Sequence, residues 1–138
     1  MRYALISSCL IGLNTKYDGT NNLRKEVVEW LKNEYILIPV CPEQLGGLPT
    51  PRNPCEIKNG RVVDIEGNDF TDNFYKGAYE ALKLARFFDA QIAFLKSKSP
   101  SCGCGKIYDG SFSGKLVEGN GITAAVFMQN SIKVVCID

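Results

Sequence analysis

Leu95–Ala124, LKSKSPSCGCGKIYDGSFSGKLVEGNGITA, carries two cysteines and six glycines between a strand pattern at Ala90–Lys96 and a helix pattern opening near Ile122. Glycine, serine and proline at this density leave little apolar periodicity, so the stretch reads as one long loop. A connection longer than about 12–15 residues within a compact domain is usually functional or disordered. Ile107, Tyr108, Phe112 and Leu116 are too many large apolar groups for disorder. An ordered active-site loop centred on Cys102 is therefore expected. The strand before it and the helix after it start an α/β alternation that the rest of the chain repeats.

Working outward, Tyr3–Ser8 (YALISS) and Tyr35–Val40 (YILIPV) are short apolar runs of strand length. Between them Asn21 or Asn22 can cap a helix that presents Leu23, Val27 and Leu31 on one face and ends near Asn33. CPEQLGGLPTPRNPCEI, Cys41–Ile57, holds four prolines and two glycines and is expected to form neither helix nor central strand. Glu56–Val63 predicts a small hairpin about Asn59-Gly60, a pair suited to a type I′ turn. Thr71 or Asp72 opens a long helix to about Asp89, with Phe74, Ala78, Leu82 or Ala81, Ala85 and Phe88 along one stripe. Gln91–Leu95 is the third strand, Ile122–Asn130 a shorter helix and Lys133–Ile137 a last strand. This order predicts a single α/β domain over residues 1–138, a mostly parallel sheet covered on both faces with a β-hairpin insertion.

The totals agree with one ordinary globular domain: 138 residues, 45% hydrophobic and 22% charged. A net charge of +1 and the absence of a long Lys/Arg run offer nothing for nucleic acid, and no nucleic-acid partner is expected. No apolar run approaches a membrane span, and Met1–Leu13 reads better as a first buried strand than as a lipoprotein signal. A cytoplasmic protein is expected, with its six cysteines mostly thiols or metal ligands. Histidine is absent, which removes the commonest general base and every Ser-His or Cys-His triad. Proton transfer then falls to residues such as Glu, Asp, Lys, Tyr or Ser.

Ligands of open α/β sheets bind at the carboxyl ends of the strands. Cys9 and Cys41 stand just past the first two strands, and Cys102 follows the third, so one edge should collect all three. A single cysteine is as readily a buried small hydrophobe, but three at equivalent strand ends are not. Cys136, inside the last strand, is expected in the core; Cys55 and Cys104 are ambiguous, and Cys102-x-Cys104 could be a redox pair or two ligands of one metal. Thiolates without histidine suit a soft metal. Structural zinc wants four closed ligands, whereas a cluster held by three leaves one iron open as a Lewis acid.

SSCLIG-x-x-x-KYDG, PVCPEQLGGLPTPRNPCEI, LKSKSPSCG and IYDGSFSG-x-x-x-x-GNGITA together resemble the thiouracil desulfidase family over nearly the whole chain. The resemblance implies a Rossmann-like domain, a 4Fe-4S cluster on Cys9, Cys41 and Cys102, and non-redox removal of sulfur from 2-thiouracil or a similar small thiolated substrate. It further implies that Glu43 works as an acid/base with Ser99 or Ser101. Set against this, Glu43 could be only a loop carboxylate capping a turn. Gly119-Asn120-Gly121 could offer free N–H groups to an anion or carbonyl, and Tyr17, Asp18 and Arg52 could orient a ring, although Asp18-Gly19 reads equally as turn chemistry and Arg52 as a carboxylate partner. The alternatives to a desulfidase are a sulfide-donating cluster protein and a redox- or metal-sensing module switched by Cys102-Cys104.

Overall fold

A computed structural model describes residues 1–138. Four parallel strands form the sheet: β1 (Arg2–Ser7), β2 (Tyr35–Val40), β5 (Ile92–Lys96) and β8 (Lys133–Ile137), in the spatial order β2-β1-β5-β8. The crossover helix α1 (Lys25–Lys32) returns the chain to β2 on one side of β1. The connection through α3 (Thr71–Phe87) carries it to β5 on the other side. The direction of winding therefore reverses between β1 and β5, which opens a crevice at their carboxyl ends.

Alternation along β1 shows how the sheet is covered. Ala4 and Ile6 pack with Leu10, Val28, Leu31 and Phe94 under α1. Leu5 faces the larger cluster, with Phe74, Ala78 and Leu82 of α3 and Phe127 of α4 (Ile122–Gln129). Both faces are thus buried and the domain has three layers, a Rossmann-like arrangement. No helix is long and apolar enough to cross a membrane.

Several sequence expectations need correction. Helix α1 begins at Lys25, not at Asn21 or Asn22, and buries Val28 and Leu31 while Leu23 and Val27 stay exposed. The chain before it is held by the single 3-10 turn Ser8–Ile11: Asn22 N–H donates to the Cys9 carbonyl and Arg24 N–H to that of Leu10. Pro42–Leu45 forms a one-turn helix, α2, in the segment expected to have none. A proline at the first helical position loses no hydrogen bond, so the proline count overstated the obstacle. The long Leu95–Ala124 loop contains its own hairpin, β6 (Lys106–Tyr108) and β7 (Leu116–Glu118). The hairpin β3 (Cys55–Lys58) and β4 (Arg61–Asp64) turns at Asn59 and Gly60, both with positive φ, as a type I′ turn requires.

Candidate active site

The carboxyl edge of the sheet opens into a cavity of about 670 Å³ whose wall includes Cys9, Cys41 and Cys102. Each comes from a different strand-end loop. Cys9 lies in the 3-10 turn after β1, Cys41 follows Val40 of β2, and Cys102 sits in the SPSC turn after β5. The sheet order therefore sets Cys9 between the other two. Cys55, at the start of β3, lines the same cavity as a fourth free thiol.

Two backbone packings hold these loops. Helix α2, which carries Glu43, docks on α3 where glycine meets backbone: a Cβ on Gly77 would strike the Pro42 carbonyl, and one on Gly46 the Asn73 carbonyl. The SPSC turn is held by α4. Gly121 N–H donates to the Gly103 carbonyl at 2.7 Å, Ile122 N–H to Pro100 at 2.8 Å and Thr123 N–H to Ser101 at 2.8 Å. The first N–H groups of α4, which expectation left free for an anion, are thus already paired with carbonyls of the chain itself. A Cβ on Gly121 would collide with the Ser101 carbonyl, which is why this helix entry is a glycine.

Around the thiols the polar contacts are specific. Asn22 Nδ2 donates to Cys9 Sγ at 3.4 Å, so this side chain serves the cysteine and caps no helix. Burial pushes the Cys102 thiol up to about 12, partly offset by the Ser7 hydroxyl. It also raises Cys41, and it carries Cys55 to about 12 with help from the Glu43 and Asp64 carboxylates. As free thiols these three are neutral; a metal that binds them must displace their protons.

Glu43 lies on the cavity wall, bound through Oε2 to Arg52 Nε at 2.7 Å. Its Oε1 takes no hydrogen bond from the protein. The Arg52 side chain is only 8% exposed and uses its whole fork: Thr50 Oγ1 at 2.8 Å, the Pro49 carbonyl at 3.2 Å, and the Thr15 carbonyl at 2.9 Å with Cys41 Sγ 4.0 Å away. The two serines differ. Ser99 is on the cavity wall and its Oγ accepts the N–H groups of Ser101 and Cys102, both at 3.0 Å, leaving its own proton free to donate. Ser101 is buried behind Cys102 and hydrogen-bonds Thr123 Oγ1 at 2.8 Å. Asp18 closes a turn by accepting from Thr20 N–H at 3.0 Å, whereas Tyr17 lines the cavity.

Cys104 and Cys136 are joined as a disulfide with Cα atoms 6.0 Å apart, which corrects two expectations. Cys136 is half-buried, because β8 is an edge strand and lacks a neighbour on one side. Cys104 pairs with it, not with Cys102, so a Cys102-Cys104 switch has no geometric basis.

The model of the 2-thiouracil desulfurase family matches residues 4–138. The chain belongs to this family. YbbK of Bacillus subtilis (strain 168), an uncharacterized protein, is 39% identical to this family member over 141 residues, 95% of this chain and 93% of its own. The solved structure of TudS, a 4Fe-4S-dependent thiouracil desulfidase, superposes with a TM-score of 0.93 at 38% identity, covering 99% of this chain and 91% of that one. The desulfurase-family motifs in this sequence thus converge on one cavity. Sequence reasoning missed Ser7, Asn22, Tyr108 and Phe112 on or beside it; the last two sat in the IYDGSFSG motif without an assigned role.

Proposed function

We propose that this protein is a non-redox desulfidase that hydrolyses the C–S bond of 2-thiouracil or a similar thiolated pyrimidine or thioamide, with a 4Fe-4S cluster held by Cys9, Cys41 and Cys102. The observation that carries the reading is the cavity itself, where three thiols from three strand ends meet Glu43 and Ser99. The donor set suits the group. It is all sulfur, with Cys102 buried and Cys9 and Cys41 half-buried. Donors spread over three loops suit a polynuclear group in which each thiolate meets its own iron. When bound, the cluster supplies an open iron, a Lewis acid for the substrate sulfur.

The chain's own residues do the rest. Arg52 clamps one oxygen of Glu43 and leaves the other at the cavity wall, where it can take a proton from water as general base. Water then adds to the carbon that bears sulfur. As the C–S bond breaks, Ser99, with its O–H unengaged, relays to the departing sulfur the proton that Glu43 took from water, and the new C–OH gives up its proton to solvent as the carbonyl forms. Ser101 stiffens the turn behind Cys102 through Thr123. The prevalence of free thiols fits a cytoplasmic location.

Anaerobic reconstitution followed by sulfide-release assay on 2-thiouracil tests this. Cys9→Ser, Cys41→Ser and Cys102→Ser should each lose iron and acid-labile sulfide, whereas Cys136→Ser should keep them. Glu43→Gln should keep the cluster and lose turnover by roughly 10²–10⁴-fold. A protein that binds only zinc under these conditions excludes the reading.

A further inference from the structure

Phe112 is a bulky residue in the left-handed region, with φ of 58°. Such a conformation costs energy for any residue with a Cβ and persists where neighbours enforce it. Here the enforcement is visible. Glu56 Oε1, on β3, accepts the N–H of Gly110 at 3.0 Å and that of Phe112 at 3.1 Å. Gly110 is buried directly on β3, where a Cβ would lie 2.8 Å from the Ile57 carbonyl oxygen. Two hairpins are joined at this point, and the tip of β6–β7 is fixed against the cavity.

That strain gains nothing in core packing. Neither Phe112 nor Tyr108 belongs to either hydrophobic cluster or pairs with another aromatic ring. Both line the cavity that holds the thiols and Glu43. An aromatic side chain fixed in an unfavourable backbone at a cavity wall, without a partner of its own, is suited to a flat ligand.

We infer that Phe112, with Tyr108, is the stacking face for the ring of the substrate, and that Glu56 is the positioning residue that holds this face in place. The substrate class is thereby a planar, unsaturated heterocycle bearing the thioamide, in preference to acyclic thioamides. This rests on the desulfidase reading. Stacking tolerates differences among bases because each has a π-face, so the site accepts thiolated pyrimidines of differing substitution.

Calorimetric titration of the cluster-loaded protein with uracil tests the face without the C=S bond, and steady-state sulfide release from 2-thiouracil and from thiourea tests it with turnover. Phe112→Ala should weaken uracil binding on the order of tenfold and raise KM for 2-thiouracil similarly. Iron content should stay unchanged, and KM for thiourea, which has no ring to stack, should rise less than KM for 2-thiouracil. Phe112→Trp should retain wild-type affinity. Glu56→Leu should raise KM while kcat is held, and Glu56→Gln, whose amide oxygen still accepts both N–H groups, should restore it. Equal uracil affinity in wild type and Phe112→Ala overturns the inference, as does equal loss in Phe112→Ala and Phe112→Trp. If sulfide release is absent while the Phe112 effect on uracil binding is present, the desulfidase reading fails and the stacking face stands.

Discussion

At the scale of single residues, Arg52 controls the site most widely. Four oxygen acceptors from Glu43, Thr50, Pro49 and Thr15 surround its guanidinium, so one side chain ties the loop after β1 to the loop after β2. A guanidinium presents five N–H donors in a fixed planar fork, whereas an ammonium has only three and no fixed plane for these four acceptors. Arg52→Lys should therefore keep charge but release the Glu43 carboxylate. We expect kcat to fall by roughly a hundredfold, the order associated with misplacing a catalytic group by an ångström, with iron content retained; sulfide release against iron analysis measures this. Sequence alone offered Arg52 only as one of two readings, because ion pairing depends on how far the Pro-rich loop folds back. Cys9, Cys41 and Cys102 were expected at one edge because each follows the carboxyl end of a strand, Cys102 six residues on, whereas Glu43 came from the CPEQ motif of the family resemblance.

At the scale of elements, glycines set how closely helices approach. Helix α2 rests on α3 through Gly46 and Gly77 with no room for a methyl group. Gly77→Ala should cost about 1–3 kcal/mol, the usual penalty of overpacking, and should displace Cys41 and Glu43. A lower thermal midpoint accompanied by weaker cluster retention would show both effects. The hairpin β3–β4 depends on Asp64, which is buried and accepts the side chain of Asn68 at 3.0 Å, the N–H groups of Asn68 at 2.9 Å and Glu66 at 3.0 Å, and the Asn53 amide at 3.3 Å. These donors, the Asn68 side chain foremost, hold its carboxyl below the ordinary value of 3.8. A depressed pKa in the folded state gives stability that is complete above the unfolded value and is lost as pH falls through the folded one. Urea titrations at about pH 5 and about pH 3 should differ less for Asp64→Asn than for wild type. The major strands and α3 were readable from apolar pattern and length. Helix α2 and the β6–β7 hairpin were not, since one turn and three-residue strands are shorter than any periodicity can register.

At the scale of the whole molecule, two hydrophobic clusters of 17 and 6 buried residues cover the two faces of the sheet. Removing the cluster with a chelator should leave far-ultraviolet circular dichroism near native, in contrast to a zinc finger, where metal binding is folding. The parallel order and the convergence of three loops followed from the alternation of strands and helices. The disulfide partner of Cys104 did not, because it depends on which strand ends as the exposed edge. The pairing of the first α4 amides with carbonyls of the SPSC turn also has a dynamic consequence. Helix and turn cannot open separately, so the Ile122 and Thr123 amides exchange with solvent only when the turn holding Cys102 lets go. Deuterium uptake at these two amides therefore times the opening of the active site.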